Sequence, residues 1–192
     1  MRTLLAVLFP CLVGCMCVPP TTNGVFYDGS CAVHWQPEDF PLEVVVERQI
    51  TPDQRIALED AIRIWNDAVG AEVFHITREL NWYDPEWLRR RSGTIYVLVA
   101  DIPDINPPLT TLGLCSTNWN ICRMHDAIVS LDITVQDGND ATVVFVHELG
   151  HALALRHDRS QESIMYRHAL ASGKRIFQDD INYIRWEMTY GY

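Results

Sequence analysis

The run HELGHALALRHD, at residues 147–158, restricts the fold of this chain more than any other stretch. The largely apolar residues 142–146 lead into it without a proline. A helix from about Asp140 to Ala154 is therefore predicted, with Asn139 or Asp140 as its N-cap. Most of the run lies on this helix.

Two histidines and an acid share one side of the predicted helix. Helical spacing puts His147 and His151 one turn apart, where both imidazoles reach a single ion. Neutral imidazole is a preferred zinc ligand, and catalytic zinc sites leave one coordination position open. Glu148 lies near enough to accept a proton from water at the metal. The short motif predicts a metal site, although the same residues also arise by chance on amphipathic helices.

Two later residues extend the motif. His157 follows six residues after His151, and Met165 lies in the segment SIMY, residues 163–166. With them the sequence resembles the metzincin zinc peptidases, whose pattern is a three-histidine motif followed by a Met-turn. The interval from His157 to Met165 and the tyrosine directly after it resemble the matrixin branch, whereas Asp158 is similar to the adamalysin branch.

The resemblance implies a zinc-dependent endopeptidase with water in the fourth coordination position. His147, His151 and His157 are the implied zinc ligands. Glu148 is the implied general base, which takes a proton from the water and passes it to the leaving amine. Met165 is implied to form an apolar floor beneath the imidazoles.

Ala154 is the clearest departure from the family pattern. The metzincins have glycine here, which lets the chain leave the helix sharply and return the third histidine to the metal. If this position requires φ > 0, alanine costs on the order of 1–2 kcal/mol. A chain that ran straight on past Ala154 would carry His157 away from the other two imidazoles.

Several further residues have more than one interpretation. Tyr166 is either an oxyanion donor or part of a specificity pocket. Asp158 is a carboxylate bonded to the Met-turn or to Ser163, an exposed acid, or a replacement for the third ligand, and the spacing favours His157 as that ligand. The remaining histidines show no ligand spacing and are predicted to be surface or core residues: His34, His75, His125 and His168.

The N-terminus predicts export. A single arginine, Arg2, precedes the apolar residues 4–14, which are typical of a secretory signal and too short to cross a membrane. The segment LVGC, residues 12–15, resembles the lipobox of bacterial lipoproteins. This resemblance implies a signal peptide at residues 1–14 and a lipid on Cys15, with an ordinary signal peptide as the alternative. The predicted location is the bacterial cell envelope through the lipid, or outside the cell as a secreted protein.

The chain contains six cysteines. Cys11 leaves with the signal and Cys15 carries the lipid, so the remaining four allow three pairings. Disulfides are favoured over free thiols in an exported protein. The candidate pairs are Cys115–Cys122 and Cys17–Cys31. A zinc-capping latency role for Cys17 or Cys31 is the alternative, and no surrounding motif supports it.

The charge balance disfavours nucleic acid as a partner. The formal net charge is −10 and becomes −11 without Arg2, whereas phosphate binding relies on clustered lysine and arginine. The basic run at residues 89–91 is predicted to be a solvated loop or helix end. We expect a protein or peptide substrate, a membrane contact through the N-terminal lipid alone, and a monomer. One catalytic zinc is expected, and calcium is unsupported because no Asp-rich loop has calcium spacing.

The elements around the motif predict one α+β domain that resembles a metzincin-like zincin catalytic domain, at residues 42–192. Residues 15–41, rich in proline and polar residues, are predicted to form a tether and an irregular lead-in. The twisted mixed sheet has about five strands, predicted at residues 42–47, 73–77, 94–100, 112–115 and 127–132. A long helix with Trp65 in the core precedes the metal helix, and a C-terminal helix begins near Gln178. Residues 112–115 are the candidate edge strand for an extended substrate.

Two further functions remain open from the sequence. A non-catalytic zinc-binding surface lipoprotein would share the ligands. Glu148 disfavours it, because a structural site has no need of that base, and Ala154 favours it. An exported binding module with an accidental motif leaves the spacing of Met165 unexplained.

Overall fold

The computed structural model describes residues 27–28, 31–81, 84, 90–103, 111–168 and 174–190. The predicted signal peptide and Cys15 lie outside this part, as does Cys17. Within it the chain is an α+β domain, as predicted, with a five-stranded mixed sheet and three α-helices. Among the described residues, no helix is both long and apolar enough to cross a membrane.

The sheet consists of β3 (Leu42–Glu47), β4 (Phe74–Leu80), β5 (Thr94–Ala100), β6 (Gly113–Asn120) and β7 (Arg123–Asp132). Its strand order is β4-β3-β5-β7-β6, and only β6, at one edge, runs antiparallel to its neighbour. The apolar runs of β3 and β5 are largely buried, as central parallel strands require. β6 and β7 extend beyond their predicted bounds, because the polar half of their hairpin has no hydrophobic signal. A separate short pair joins β1 (Tyr27–Asp28) to β2 (Cys31–Ala32).

Helix α1 (Pro52–Val69) supports the helix that carries the metal motif. Thr51 caps its first turn, and Gly70, with φ of 75°, ends it, as the sequence signals of a capping box and a terminal glycine require. Trp65 is fully buried, and its indole N–H donates to the carbonyl of Val146 at 2.9 Å. The prediction of a core aromatic residue at this position is confirmed.

Helix α2 (Gly138–Ala152) ends in the metal motif. Its N-cap is Asp137, whose carboxylate accepts hydrogen bonds from the backbone of Asn139 and Asp140, the two predicted caps. The prediction was wrong because an earlier acid satisfies both free amides. The helix also ends before Ala154, which has a left-handed conformation.

The packed domain begins before residue 42. Val33 and Trp35 are fully buried in the main core, and a 3₁₀ turn, Pro37–Asp39, follows them. On helix α3 (Gln178–Tyr190), the Tyr183 hydroxyl donates to the carbonyl of Val33 at 2.9 Å. The predicted boundary at residues 41 and 42 is therefore too late, because isolated apolar residues in a polar segment produce no periodic pattern.

The predicted disulfide between Cys115 and Cys122 is wrong. Cys115 is a free thiol, whereas Cys122 is disulfide-bonded. In the hairpin of β6 and β7, Cys115 pairs with Val129, and the turn lies at Ile121 and Cys122, which have φ of 46° and 66°. Cys115 therefore lies within strand β6 and Cys122 lies in the turn, so the two residues do not face each other across the hairpin. The predicted Cys17–Cys31 pair lies outside the described side chains.

A thiol map of the unreduced protein tests this arrangement. We expect an alkylating reagent, added in denaturant, to label Cys115 fully and to label Cys122 only after reduction, because only a free thiol reacts. Peptide mass mapping with and without reductant measures both labels. A linked peptide that joins Cys115 to Cys122 would contradict the structure.

Candidate metal centre

Three histidine side chains converge at the C-terminal end of α2. His147 and His151 extend from consecutive turns of the helix, and His157 lies on the segment that folds back after it. The Nε2 atom of His157 lies 3.3 Å from Nε2 of His147 and 3.2 Å from Nε2 of His151. The candidate ligand atoms all lie within 4.8 Å of one another. The structure therefore brings the three predicted ligands together.

The donor set fits a single zinc ion. The Nδ1–H group of His147 donates to the carbonyl of Ile164, and that of His151 donates to the carbonyl of Leu155, each at 2.7 Å. These bonds leave the lone pair of both rings on Nε2, the atom that faces the other imidazoles. Tetrahedral coordination at about 2.0–2.1 Å separates two ligand nitrogens by about 3.3–3.4 Å, close to the spacing observed. Lone pairs at this distance repel one another unless a cation lies between them.

The imidazoles are held in the neutral form that binds metal. Burial lowers the pKa of His147 to about 4 and the pKa of His151 to about 3, because desolvation disfavours the charged ring. Burial also lowers the pKa of His157, and the nearby charges of Arg167 and His168 lower it further. Zinc therefore does not have to displace protons from these rings at neutral pH.

A left-handed residue turns the chain back toward the helix. Ala154 has φ of 62° and is fully buried, which confirms that this position requires a positive φ. Its N–H donates to the carbonyl of His151 at 2.9 Å, and the N–H of Leu155 donates to the carbonyl of Gly150 at 3.1 Å. These two bonds are typical of a helix that ends in a left-handed residue. The fold thus holds alanine in a conformation that costs on the order of 1–2 kcal/mol.

The Met-turn packs directly against α2. Met165 is buried, and its N–H donates to the Ser163 hydroxyl at 3.0 Å. A Cβ atom at Gly150 would lie 2.3 Å from the sulfur of Met165, so only glycine permits this close approach. The preceding residue, Ile164, supplies the carbonyl that orients His147. One feature of the sequence could have indicated this role. Gly150 lies in the interior of the predicted helix, where glycine is unfavourable unless close packing requires it.

Glu148 is buried between α2 and β6. Burial raises its pKa to about 8, and a hydrogen bond from the backbone of Cys115 opposes that rise. A Cβ atom at Gly113 would lie 2.8 Å from Oε1 of Glu148 and 2.5 Å from Cγ1 of Val144, so glycine makes room for the carboxyl group on this strand. A buried carboxyl group with a strongly raised pKa beside converging ligands marks a functional site. Nothing in the sequence pattern signals the role of Gly113.

Tyr166 and Asp158 lie beside the ligand segment. The half-buried ring of Tyr166 lies 4.8 Å from the Lys174 ammonium and 5.4 Å from the ring of His168. The carboxylate of Asp158 accepts from the backbone N–H of Ser160 at 2.7 Å. Asp158 contacts the Met-turn through its own N–H, which donates to the Met165 carbonyl at 2.9 Å. The predicted bond from the Asp158 carboxylate to the Met-turn or to Ser163 is therefore wrong, because the carboxylate bonds the backbone of Ser160 and only the backbone N–H of Asp158 contacts the Met-turn.

The other histidines do not join the metal centre. His34 is buried, and its Nδ1–H donates to the carbonyl of Ala32 at 2.8 Å. The exposed His75 contacts Glu72 at 2.7 Å, and His168 is exposed beside Tyr166. Among the residues that the structure describes, the three motif histidines are the group whose ligand atoms lie close enough to hold one ion.

A zinc-dependent peptidase requires a set of neutral imidazole ligands and a nearby carboxyl group that can act as a base. The converging histidines and the buried Glu148 supply both. Residues 60–190 match the family model of the matrixins, peptidase M10, and the chain belongs to this family. It is a zinc metalloendopeptidase that acts on protein or peptide substrates, which confirms the resemblance drawn from the motif.

The chain is similar to many solved structures, among them a fish enzyme. High choriolytic enzyme 1, a hatching enzyme zinc-protease from Oryzias latipes (medaka), is 14% identical, with a TM-score of 0.47. The alignment covers 84% of this chain and 97% of that chain. No curated protein matches the sequence.

Zinc binding is expected to persist to unusually low pH. The ordinary pKa of histidine is about 6.5, but the pKa of His147 is about 4 and that of His151 is about 3. Because these rings stay unprotonated as the pH falls through 6.5, we expect the zinc affinity to change little between pH 7.5 and pH 6 and to fall below about pH 5. Equilibrium dialysis with metal analysis measures the affinity at each pH. A loss of about tenfold between pH 7.5 and pH 6 would contradict the lowered pKa values.

Proposed function

We propose that this protein hydrolyses peptide bonds in extended segments of its substrates, with His147, His151 and His157 as zinc ligands and Glu148 as the general base. Bound zinc supplies Lewis-acid polarisation of the peptide carbonyl and lowers the pKa of water toward about 7. The observation that carries the proposal is the convergence of three neutral imidazole nitrogens, with the buried Glu148 directly after the ligand His147 on the same helix.

Glu148 would perform two proton transfers. Its carboxylate accepts a proton from the attacking water, and the resulting acid donates that proton to the leaving nitrogen as the C–N bond breaks. Burial raises the pKa of Glu148, and a cation held by the three imidazoles would lower it again and favour the carboxylate form that accepts the proton. The backbone of Cys115 hydrogen-bonds the carboxylate and fixes its position. A purely structural zinc site has no use for such a group, which disfavours the non-catalytic alternative.

The edge strand β6 is proposed to bind the substrate backbone. β7 pairs with one side of β6, and β6 is the last strand of the sheet in the described part of the chain. An edge strand presents backbone N–H and C=O groups that an extended peptide can pair with. Gly113 at the start of β6 lies against Glu148. A peptide paired along β6 would therefore pass the general base, which supports the predicted role of residues 112–115.

Tyr166 is proposed to line a specificity pocket. The Lys174 ammonium lies 4.8 Å from the centre of its ring, and the ring of His168 makes an edge contact at 5.4 Å. These cation–π and aromatic contacts fix the orientation of the ring. A fixed aromatic surface directly after the Met-turn suits contact with a substrate side chain better than the delivery of a hydroxyl proton.

We also propose that the protein is exported. A signal peptide at residues 1–14 and a lipid on Cys15 would anchor it to the bacterial cell envelope, and secretion without a lipid is the alternative. The disulfide at Cys122 supports an oxidising compartment. One zinc ion is the proposed metal complement, and the protein is proposed to act as a monomer.

Glu148→Gln tests the proposed mechanism. Glutamine keeps the size of the side chain and an acceptor for the Cys115 amide but cannot take up a proton. We expect kcat on a fluorescently labelled general protein substrate to fall about 10²–10⁴-fold while zinc stays bound. Fluorescence release measures cleavage, and metal analysis measures zinc.

Glu47→Gln is the matched control. Glu47 is also buried, and it accepts a backbone hydrogen bond from Val99 at 3.2 Å, but it lies on β3. We expect this variant to keep the kcat of the wild type. Cleavage retained by Glu148→Gln with zinc bound, or an equal loss in both variants, would refute the role of Glu148.

A further inference from the structure

The corner at Ala154 controls the placement of two zinc ligands. Ala154 has φ of 62°, a conformation that favours glycine and that alanine rarely adopts. The next residue, Leu155, accepts the Nδ1–H of His151 at 2.7 Å, and the chain then continues to His157. If the corner relaxed toward the right-handed region, both His151 and His157 would therefore be displaced.

Trp35 supplies a hydrogen bond to this corner from outside the helix. Its indole N–H donates to the carbonyl of Ala152 at 2.8 Å, from a position 117 residues earlier in the sequence. Ala152 is the last residue of α2, where carbonyl groups lack partners within the helix. Trp35 is fully buried, so solvent does not compete for this carbonyl.

Trp35 is itself held by other parts of the fold. The adjacent His34 donates to the carbonyl of Cys122 at 2.8 Å, and its own carbonyl accepts from Met124 on β7 at 2.7 Å. The backbone N–H of Trp35 donates to the carboxyl group of Glu187 on α3 at 3.1 Å. The backbone of residues 34 and 35 is thus anchored to the sheet and to α3, and the indole links the end of α2 to this anchored segment.

We propose that Trp35 is a positioning residue for the metal centre, which holds the end of α2 through Ala152 so that the corner at Ala154 keeps its left-handed shape. This role rests on the proposed zinc site. In this chain a distant tryptophan compensates for the absence of glycine at residue 154. The two positions are therefore energetically coupled, and glycine at residue 154 reduces the dependence on Trp35.

A double-mutant cycle tests the coupling with zinc affinity as the readout. It compares the wild type with Trp35→Phe, Ala154→Gly and the double variant, and phenylalanine keeps an aromatic ring but removes the N–H donor. We expect Trp35→Phe to weaken zinc binding about tenfold and Ala154→Gly alone to change it by less than about twofold. We expect the double variant to bind zinc at least about threefold more tightly than Trp35→Phe. Equilibrium dialysis with metal analysis measures each dissociation constant without reference to peptidase activity.

Trp65→Phe is the matched control. Trp65 is also fully buried and also donates to a carbonyl of α2, that of Val146 at 2.9 Å, but it does so before the corner. Because this bond does not hold the corner, we expect Ala154→Gly to have the same effect in the Trp65→Phe background as in the wild type, within about twofold.

Two results would overturn the proposal. One is a zinc affinity of Trp35→Phe within about twofold of the wild type, and the other is a loss that Ala154→Gly does not reduce. If Trp35→Phe fails to fold, a folded, zinc-binding double variant supports the proposal. Failure of both to fold contradicts it, because Trp35 would then serve the whole core rather than the corner. A wild-type protein that binds no zinc would instead overturn the zinc site itself, so the two failures are distinguishable.

Discussion

The Nε2 atom of His157 lies 3.2–3.3 Å from the Nε2 atoms of His147 and His151, and this convergence explains the rest of the site. Two of the rings are fixed by backbone carbonyls, which turn their lone pairs inward. Such a cluster is repulsive by itself and becomes favourable when a cation occupies its centre. Burial also favours metal binding, because it lowers the pKa values of His147 and His151. Both rings are therefore neutral and able to bind metal at physiological pH.

The framework that brings these rings together is drawn from distant parts of the chain. One helix supplies two ligands, and the third returns through the left-handed residue Ala154. The Met-turn reaches α2 closely enough to orient His147 because Gly150 has no side chain. Gly113 makes the equivalent space for Glu148 on the edge strand. Each close contact depends on an exact fit between segments, which explains why small residues occur at both approaches.

The sequence predicts the site residues that lie close together on one helix. It does not predict most of the contacts between segments that are distant in sequence. The spacing of His147, Glu148 and His151 follows from the period of one helix, and the central strands are visible as apolar runs. His157 and Met165 follow from the family resemblance. Trp35 lies in a segment without periodicity, and the fit of Gly113 against a helix depends on tertiary contacts that no local pattern encodes. The wrong cysteine pairing has the same origin, because hairpin register decides which residues face each other.

X-ray absorption at the zinc edge of the purified, zinc-loaded protein tests the central claim most directly. We expect scattering from three imidazole rings and one oxygen, with four ligand atoms at about 2.0–2.1 Å from the metal. Scattering from only two imidazoles, or a sulfur ligand at about 2.3 Å, would contradict it.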